Sequence, residues 1–316
     1  MNAPSNARIY LAPLQGFTDY AFRSVFCKLF GTPDSSFSPF IETHKPDGRT
    51  FRDVLPERNT MGHLVPQILG NDADEMIVII KQLQEMGYNE INWNLGCPYP
   101  MVTKKQMGAG LLTSPERIDS ILASVFAKTN GMFSVKMRLG LTNNDEWKAL
   151  VPVLNRYPLH ELIIHGRTAS QMYKGEVDIA AFSEFSKQIV HPVCYNGNIF
   201  SLEDYTRLSA ELSNISQWML GRGLLINPLL MQEIKTGVKS TSDEVRKALG
   251  HLHNQLIEVN SQRLNGSSHV LNKMKPYWEY FALSIEGHEK SLKKIKKSVT
   301  LDAYKGWCNE VFYAKG

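Results

Sequence analysis

The sequence predicts an α/β protein: a (β/α)₈ TIM barrel followed by a small C-terminal all-helical domain. Three observations predict this class: eight short apolar runs rich in β-forming residues, amphipathic helical segments between most of the runs, and helices without strands after about residue 236. The 316 residues, of which 43% are hydrophobic and 21% charged, suffice for one such barrel and are typical of a soluble globular protein.

The strand-like runs alternate with the helical segments along the chain. They are RIYLAPL from residue 8, FSPFIE from 37, LVPQILG from 64, EINWNL from 90, FSVKMRL from 133, ELIIHG from 161, PVCYNG from 192 and QWMLG from 217. The helical segment 72–87 has Asn71 or Asp72 as its N-cap and stops at Gly87, and the segment 114–129 begins at Ser114. In a barrel built this way the active site lies at the carboxyl ends of the strands.

The last quarter of the chain differs in both pattern and charge. The segments 242–266 and 272–299 are predicted to be helical, so we predict a barrel domain over residues 1–238 and a helical domain over 239–316. Residues 235–316 contain 14 Lys and Arg against 8 Asp and Glu, a net charge of +6, whereas residues 1–234 have a net charge of −2. A basic region on a nearly neutral body indicates contact with a polyanion, although a solvated helical surface explains it equally well.

Cysteine usage and hydropathy indicate the compartment. The four cysteines, Cys27, Cys97, Cys194 and Cys308, lie far apart and form no CxxC pair, which argues against a zinc site or a disulfide framework. The N-terminus lacks the pattern of a signal peptide, and no apolar run approaches the roughly 20 residues of a membrane span. We therefore expect a cytoplasmic protein without a bound metal and without membrane contact. We also expect a monomer.

Polar side chains stand at the carboxyl ends of several strand-like runs, where candidates for the site are expected. Lys136 and Arg138 are two residues apart and therefore point to the same side of a strand. An ammonium group in a barrel mouth is costly unless a ligand or a carboxylate lies against it, so Lys136 is predicted to be functional. The other candidates, each of which also fits a purely structural role, are Gln67, Asn92, Asn94 and His165.

Two glycine turns follow the last two strand-like runs. The runs end in YNGN (195–198) and LGRG (220–223), so backbone N–H groups and the start of the next helix are presented together. Phosphorylated ligands commonly bind at this place in such barrels, and Arg222 adds a counter-charge. The two turns in register predict a phosphate site.

A lone cysteine follows the fourth run directly, in INWNLGCPYPMVTKKQMGAG (91–110). Gly96 permits a turn and Pro98 fixes the next φ angle, so the thiol of Cys97 is held in one direction. A thiol with the ordinary pKa of about 8.5 is mostly protonated at neutral pH and can serve as an acid. The structural alternative is a small buried thiol.

These motifs resemble the signature of the tRNA-dihydrouridine synthases. The resemblance rests on N-L-G-C-P-x₃-V-x₅-G-A from Asn94 to Ala109 and on APLQGFTDYAFR, VKMRLG, HGRT, NGN and LGRG, in the family's order and spacing. It covers the barrel nearly end to end and the helical tail more loosely. The cysteine motif is its specific part, since glycine turns alone occur in many flavin or phosphate barrels.

The resemblance implies an FMN-dependent, NADPH-driven reduction of the C5–C6 double bond of particular uridines in tRNA, with Cys97 as the proton donor. It implies that Asn94 and Arg138 bind the substrate base, and that His165 faces the base or completes the cofactor site. Asn198 stands where aspartate is common in the family. The implied cofactor-binding residues are Leu14, Gln15, Gly16, Gln67, Lys136, His165, Asn196, Gly197, Asn198, Gly221 and Arg222.

Basic residues of the tail are the expected contacts to the tRNA backbone. Lys273 and Lys275 precede PYWEY, whose aromatic residues we interpret as helix packing, and a cluster comprises Lys290, Lys293, Lys294, Lys296 and Lys297. Three alternatives remain open on the sequence alone. They are an FMN barrel acting on a free pyrimidine or an enone, a lyase or aldolase using Lys136 as a Schiff base, and a non-catalytic RNA-binding protein.

Overall fold

Ten parallel strand segments make up the eight strands of a barrel in this computed structural model, which describes residues 6–44 and 46–313. All eight strand-like runs are strands, and the predicted (β/α)₈ class is confirmed. The strands are β1 (Arg8–Leu11), β2 (Ser35–Phe37 and Ile41–Glu42), β3 (Leu64–Val65 and Gln67–Leu69), β4 (Glu90–Leu95), β5 (Met132–Gly140), β6 (Leu162–Thr168), β7 (Val193–Asn196) and β8 (Gln217–Leu220).

The barrel closes between β2 and β3. Neighbouring strands pair in the order β3, β4, β5, β6, β7, β8, β1 and β2. The first segments of β2 and β3 pair with Phe37 opposite Val65, and the second segments pair with Ile41 opposite Ile68. Each strand therefore has two neighbours, as the strands of a closed barrel must.

Prolines interrupt β2 and β3 at the same height. Pro39 and Pro66 have no N–H to donate, so the ladder cannot continue through them. The hydroxyl of Ser38 bridges the gap by accepting a hydrogen bond from the Gln67 N–H at 3.0 Å. The sequence pattern predicted one uninterrupted run at each place, whereas the structure has two short segments.

Helices follow most of the strands and pack around the barrel. Asp72 caps α2 by accepting a hydrogen bond from the Glu75 N–H at 3.0 Å, which confirms one of the two predicted caps, and Gly87 follows the helix with a φ of 93°. The helices of this part are α1 (Tyr20–Phe30), α2 (Ala73–Glu85), α3 (Pro100–Thr103), α4 (Pro115–Lys128), α5 (Val151–Leu154), α6 (Ile179–Gln188), α7 (Leu202–Glu211), α8 (Arg222–Ile226) and α9 (Leu230–Thr236), with 3₁₀ segments at Pro56–Arg58, Gly108–Leu111 and Glu146–Ala149.

Residues 242–313, called here the helical region, contain five more helices. They are α10 (Ser242–Arg263), α11 (Ser267–Met274), α12 (Trp278–Phe281), α13 (Glu289–Lys297) and α14 (Leu301–Tyr313), with 3₁₀ segments at Lys275–Tyr277 and Ala282–Ser284. α10 begins with a capping box between Thr241 and Glu244. The predicted segment 272–299 is divided into short pieces near Pro276 and Gly287, and α14 was not predicted.

One apolar core joins the barrel to the helical region. Phe22 of α1 stacks on Tyr277, with 6.0 Å between ring centroids and 11° between planes. Inside the helical region the hydroxyl of Tyr304 accepts a hydrogen bond from Trp278 and bonds His253, each at 2.9 Å. Burial lowers the pKa of His253 to about 4, so this core histidine is neutral.

Three further features concern the described residues as a whole. None of the helices there is both long enough and apolar enough to cross a bilayer. All four cysteines are buried and free. Within residues 6–44 and 46–313, no group of three His, Cys, Asp or Glu side chains is placed to hold a metal ion.

Candidate active site

The carboxyl ends of the strands surround a cleft of about 990 Å³, counting the space that is open to solvent. Most of the predicted site residues meet in this cleft. Those that line it are Leu14, Gln15, Asn94, Cys97, Lys136, Arg138, His165, Asn196, Gly197, Gly221 and Arg222.

Strand register brings the polar residues of the cleft together. Asn94 of β4 lies opposite Lys136 of β5. Arg138 lies opposite His165 of β6, which in turn lies opposite Asn196 of β7. Because alternate residues of a strand face the same side, these five side chains form a continuous polar surface over four neighbouring strands.

Lys136 has no counter-charge. Its ammonium makes no hydrogen bond or ion pair with any residue that the structure describes. Burial and the nearby charge of Arg138 lower the pKa of Lys136 to about 7. The charged form of a lysine held in this way is strongly stabilised by an anionic group placed against it, as expected for a ligand-binding lysine.

His165 is neutral, and its tautomer follows from its neighbour. Arg167 donates from Nη1 to Nε2 of His165 at 3.3 Å. Because a guanidinium group can only donate, Nε2 accepts and the ring proton lies on Nδ1. Burial, together with the charges of Arg138 and Lys136, keeps the pKa of His165 well below its ordinary value.

Arg167 and Asn198 form a layer behind the cleft. The amide oxygen of Asn198 accepts hydrogen bonds from Arg167 at 3.2 Å and from Arg222 at 3.0 Å. Asn198 therefore holds Arg222 in place instead of lining the cleft itself. A neutral amide between two guanidinium groups leaves their positive charge uncompensated. Arg167 was missed, although its spacing of two from His165 in HGRT was a usable signal.

The turn after β4 fixes the thiol of Cys97. The side-chain oxygen of Asn94 accepts hydrogen bonds from the backbone N–H groups of Gly96 at 2.9 Å and Cys97 at 2.8 Å. Asn94 therefore shapes the turn before the cysteine. Its predicted contact with the substrate base stays a prediction. Cys97 is only 6% exposed, and burial raises the pKa of its thiol. The thiol is protonated at neutral pH and lines the cleft, as an acid requires.

Gly108 packs against the backbone of Cys97. It has a φ of 55°, and a Cβ atom there would lie 2.9 Å from both Cβ and the carbonyl oxygen of Cys97. The next residue, Ala109, donates its N–H to that same carbonyl oxygen at 3.1 Å. The glycine in the sequence motif thus allows the chain to return to the cysteine and hold it.

We expect Gly108→Ala to destabilise the protein by about 1–3 kcal/mol and to displace the thiol, because strain and a steric clash act together. Gly87→Ala is the matched control, since Gly87 has a φ of 93° but open space around its Cβ position. Urea unfolding and the rate of Cys97 alkylation measure the two effects. Equal losses of stability and unchanged alkylation in both variants would contradict the packing argument.

Arg138 joins the loops around the cleft. Its Nε donates to the Gly96 carbonyl at 3.0 Å, and its Nη1 donates to the carbonyls of Thr168 at 2.7 Å and Met172 at 2.8 Å. Burial lowers its pKa to about 10, so it remains charged. The guanidinium group lines the cleft and also orders two of its walls; its predicted contact with the base stays a prediction.

Besides Asn198, four predicted residues do not line the cleft. Gln67 is fully buried and bonds Asn92 and Asn94, each at 2.7 Å, so it supports the cleft from below. Gly16 lies in the loop after β1. Lys273 donates to the Gly16 carbonyl at 2.8 Å instead of standing free on the surface, and Lys275 is half-buried. Their contacts with FMN or tRNA stay predictions.

Aromatic side chains form much of the wall, and most were not predicted. Tyr280 comes from α12 of the helical region, where we had interpreted it as packing. Tyr173 lies under Arg222, with 4.7 Å from the guanidinium carbon to the ring centroid. The remaining aromatic residues of the wall are Phe17, Phe40, Tyr99 and Phe200.

The fold and the cleft together define a (β/α)₈ barrel whose candidate site lies at the carboxyl ends of the strands. The architecture agrees with two solved structures. A variant of NCR from Zymomonas mobilis has a TM-score of 0.51 and 11% identity, and the match covers 74% of this chain and 88% of that one. A morphinone reductase mutant in complex with tetrahydroNAD has a TM-score of 0.50 and 10% identity, and the match covers 73% of this chain and 86% of that one. The family is shown by sequence. The model of the dihydrouridine synthase (Dus) family matches residues 10–305, and the chain belongs to this family.

Individual relatives agree with this assignment. tRNA-dihydrouridine synthase B of Pasteurella multocida (strain Pm70) is 29% identical over 254 residues, which cover 79% of this chain and 76% of the relative. A tRNA-dihydrouridine(16) synthase of Neisseria meningitidis serogroup B (strain MC58) is 32% identical over 238 residues, which cover 72% of this chain and 71% of the relative. The matches span most of both proteins.

Proposed function

We propose that this protein reduces the C5–C6 double bond of particular uridines in tRNA to 5,6-dihydrouridine, with FMN as cofactor and NADPH as reductant. One observation carries the proposal. A protonated thiol, Cys97, and a cation without a partner, Lys136, line the same cleft in a member of the dihydrouridine synthase family. The thiol is placed to give a proton, and the cation is placed to attract an anion.

The residues of the cleft fit FMN. None of the described residues that line the cleft is acidic, whereas Lys136, Arg138 and Arg222 all contribute positive charge. Arg222, with the backbone of Asn196 and Gly197, would hold the phosphate at the ends of β7 and β8. Leu14 and Gln15 would lie along the ring system, with Lys136 beside its most electron-rich edge.

Lys136 contributes by electrostatics. When bound and reduced, FMN supplies a hydride to one carbon of the uracil double bond. Because Lys136 is fixed by its strand and has no competing partner, its ammonium stabilises negative charge without having to reorganise. Arg138 and neutral His165 face the same cleft, where they can donate hydrogen bonds to the carbonyl side of the base.

Cys97 supplies the second hydrogen as a proton. Its S–H bond breaks while a C–H bond forms on the other carbon of the base, and a thiolate remains. Arg138 stabilises that thiolate, since its charge acts to lower the pKa of Cys97 against the effect of burial. Solvent then reprotonates the sulfur. NADPH would supply the two electrons that the flavin gives to the base in each turnover.

The target base must leave the tRNA stack to enter the cleft. Unstacking costs a few kcal/mol, which contacts to the bases and the backbone must offset. Tyr99 and Tyr173, which are 46% and 39% exposed, line the cleft and offer aromatic surface against which a single-stranded base could pack. These contacts would act at the cleft itself, whereas contacts to the phosphate backbone would lie further away.

α13 provides the strongest positive surface of the helical region. Ser291 and Ile295 face the core, so the five lysines of the predicted cluster are exposed on the remaining surface of the helix. Lys294 lies over the ring of Trp307 at 3.7 Å, and this contact keeps it close to the protein. The other four lysines are the candidates for contact with tRNA phosphates.

Replacing Lys290, Lys293, Lys296 and Lys297 by glutamine should weaken tRNA binding and lower the slope of log affinity against log salt by roughly 0.7–0.9 for each phosphate that is no longer neutralised. Lys294 is kept because it packs on Trp307. The matched control replaces exposed Lys81 and Lys187 on the outer barrel helices α2 and α6. If both variants show the same salt slope as the unaltered protein, the α13 surface does not bind tRNA.

An unmodified tRNA transcript tests the proposed function directly. The transcript is incubated with the FMN-loaded protein and NADPH, digested to nucleosides and analysed by mass spectrometry. We expect dihydrouridine at a small number of positions. A yellow protein that reduces a free enone or free uracil but leaves the transcript unchanged would instead indicate a small-molecule reductase.

A further inference from the structure

We infer that Asp19 is a positioning residue through which the helical region sets the loop that forms one wall of the cleft. Asp19, Arg263 and Lys273 are called here the Asp19 clamp, and residues 12–19 are called the β1–α1 loop. The inference rests on the proposed function where it refers to FMN, but the clamp itself is defined by contacts within the chain.

Asp19 binds on two sides. Its Oδ1 accepts a hydrogen bond from the Phe22 N–H at 3.1 Å, which caps α1. Its Oδ2 accepts from Arg263 of α10 at 2.6 Å and from Lys273 of α11 at 2.9 Å. Burial opposes the charge of this carboxylate, yet Lys273 and Arg263 hold its pKa below the ordinary value. One half-buried carboxylate thus connects the barrel to two helices of the helical region.

The helical region also holds the backbone of the β1–α1 loop. Lys273 donates a second hydrogen bond to the Gly16 carbonyl at 2.8 Å, and the Tyr277 hydroxyl donates to the Phe17 carbonyl at 2.6 Å. The ring of Phe17 packs edge-on against Tyr277 and Tyr280, with centroid distances of 5.3 and 5.1 Å. Polar and aromatic contacts therefore fix the same two residues of the loop.

The loop behaves as one unit that the clamp can orient. Its internal hydrogen bonds run from the Leu14 N–H to the Thr18 hydroxyl at 2.8 Å and from the Phe17 N–H to the Leu14 carbonyl at 3.0 Å. Gly16 at the tip has a φ of 84°, a conformation that favours glycine, and no neighbouring atom within 4 Å of its Cβ position. Leu14, Gln15 and Phe17 of this unit line the cleft.

The two ends of the clamp face different partners in the proposed function. The loop end contributes Leu14 and Gln15, which would lie against the flavin. The other end belongs to the helical region, whose α13 surface would dock the tRNA. The clamp therefore couples cofactor binding to the placement of the helical region, and Lys273 acts on the cofactor site through the loop.

Lys273→Met and Asp19→Asn should each weaken FMN binding to the apoprotein by about tenfold, because the loop is no longer held against the cleft. The double variant should lose less affinity for FMN than the two single losses added together, since both changes remove the ion pair between Lys273 and Asp19. Lys273→Arg should restore most of the affinity. Lys239→Met is the matched control, because Lys239 pairs with Glu203 on the surface away from this loop.

Hydrogen exchange of the ligand-free protein supplies a readout that does not depend on FMN. Amides of residues 14–18 should exchange faster in Lys273→Met than in the unaltered protein or in Lys239→Met. Unchanged FMN affinity and unchanged exchange in Lys273→Met would overturn the inference, even if that variant melts at a lower temperature or binds tRNA less tightly. If the unaltered apoprotein binds no FMN, the proposed function fails, while the exchange experiment still decides on the clamp.

Discussion

Cys97→Ala should lower the rate of dihydrouridine formation by roughly 10²–10⁴-fold, the usual contribution of a positioned general acid. FMN binding and reduction by NADPH should remain close to normal, because within residues 6–44 and 46–313 no hydrogen bond joins the Cys97 thiol to Lys136 or to the predicted phosphate site, and the thiol acts on Lys136 only through the weak electrostatics of a neutral group. Only the step that needs a proton on the base is affected. Anaerobic reduction of the flavin by NADPH and its reoxidation by tRNA, followed separately by absorbance, distinguish the two half-reactions.

Cys27→Ala is the matched control for this substitution. Cys27 is also buried and free, but it lies in α1, outside the cleft. It should change the stability slightly and neither half-reaction. If Cys97→Ala reoxidised on tRNA at a nearly normal rate and gave product, the proton would come from another group, and the thiol would be a small core residue.

Lys136→Met should reduce turnover by roughly 10²–10³-fold, the usual effect of removing one preorganised charge, and should remove the pH dependence of FMN binding above neutral pH. In the ligand-free protein the pKa of Lys136 is lowered to about 7 by burial. An anionic ligand favours the ammonium form, so this pKa rises on binding. Above pH 7 binding must then take up a proton, and the affinity of the unaltered protein falls as pH increases, by at most about tenfold per unit.

Titration of the apoprotein with FMN between about pH 7 and 9 measures this dependence, since the second ionisation of the phosphate, near pH 6, is already complete. Lys136→Arg is the informative partner variant. Arginine keeps its charge over this range but cannot form a Schiff base, so retained activity excludes a lyase mechanism. An affinity of the unaltered protein that rises with pH, or does not change, would contradict the electrostatic role.

The barrel is predictable from sequence because each strand is marked locally. All eight apolar runs are strands, and the period of two is by itself enough to place Lys136 and Arg138 on one face of β5. The division of β2 and β3 is different. Pro39 and Pro66 are visible in the sequence, but only the pairing of the two strands shows that both prolines interrupt the same part of the ladder.

Site residues can be predicted from sequence where they stand at the ends of strands. Prediction fails where a contact joins residues that are distant in sequence. Lys273 and Gly16 are 257 residues apart, and Arg263 and Asp19 are 244 apart, so no local pattern connects them. Asp19 was visible only as a good cap before the apolar start of α1. The position of Tyr280 was not predictable for the same reason, because its place in the cleft wall depends on how the helical region packs on the barrel.

A structure of the FMN-loaded protein bound to its tRNA is the most direct test of the central claim, that a flipped-out uracil lies between a flavin and the thiol of Cys97. The flavin ring should lie against Lys136, with the base stacked on it and the sulfur of Cys97 on the opposite face of the base. A flavin bound elsewhere, or a sulfur on the same face of the base as the flavin, would contradict this account.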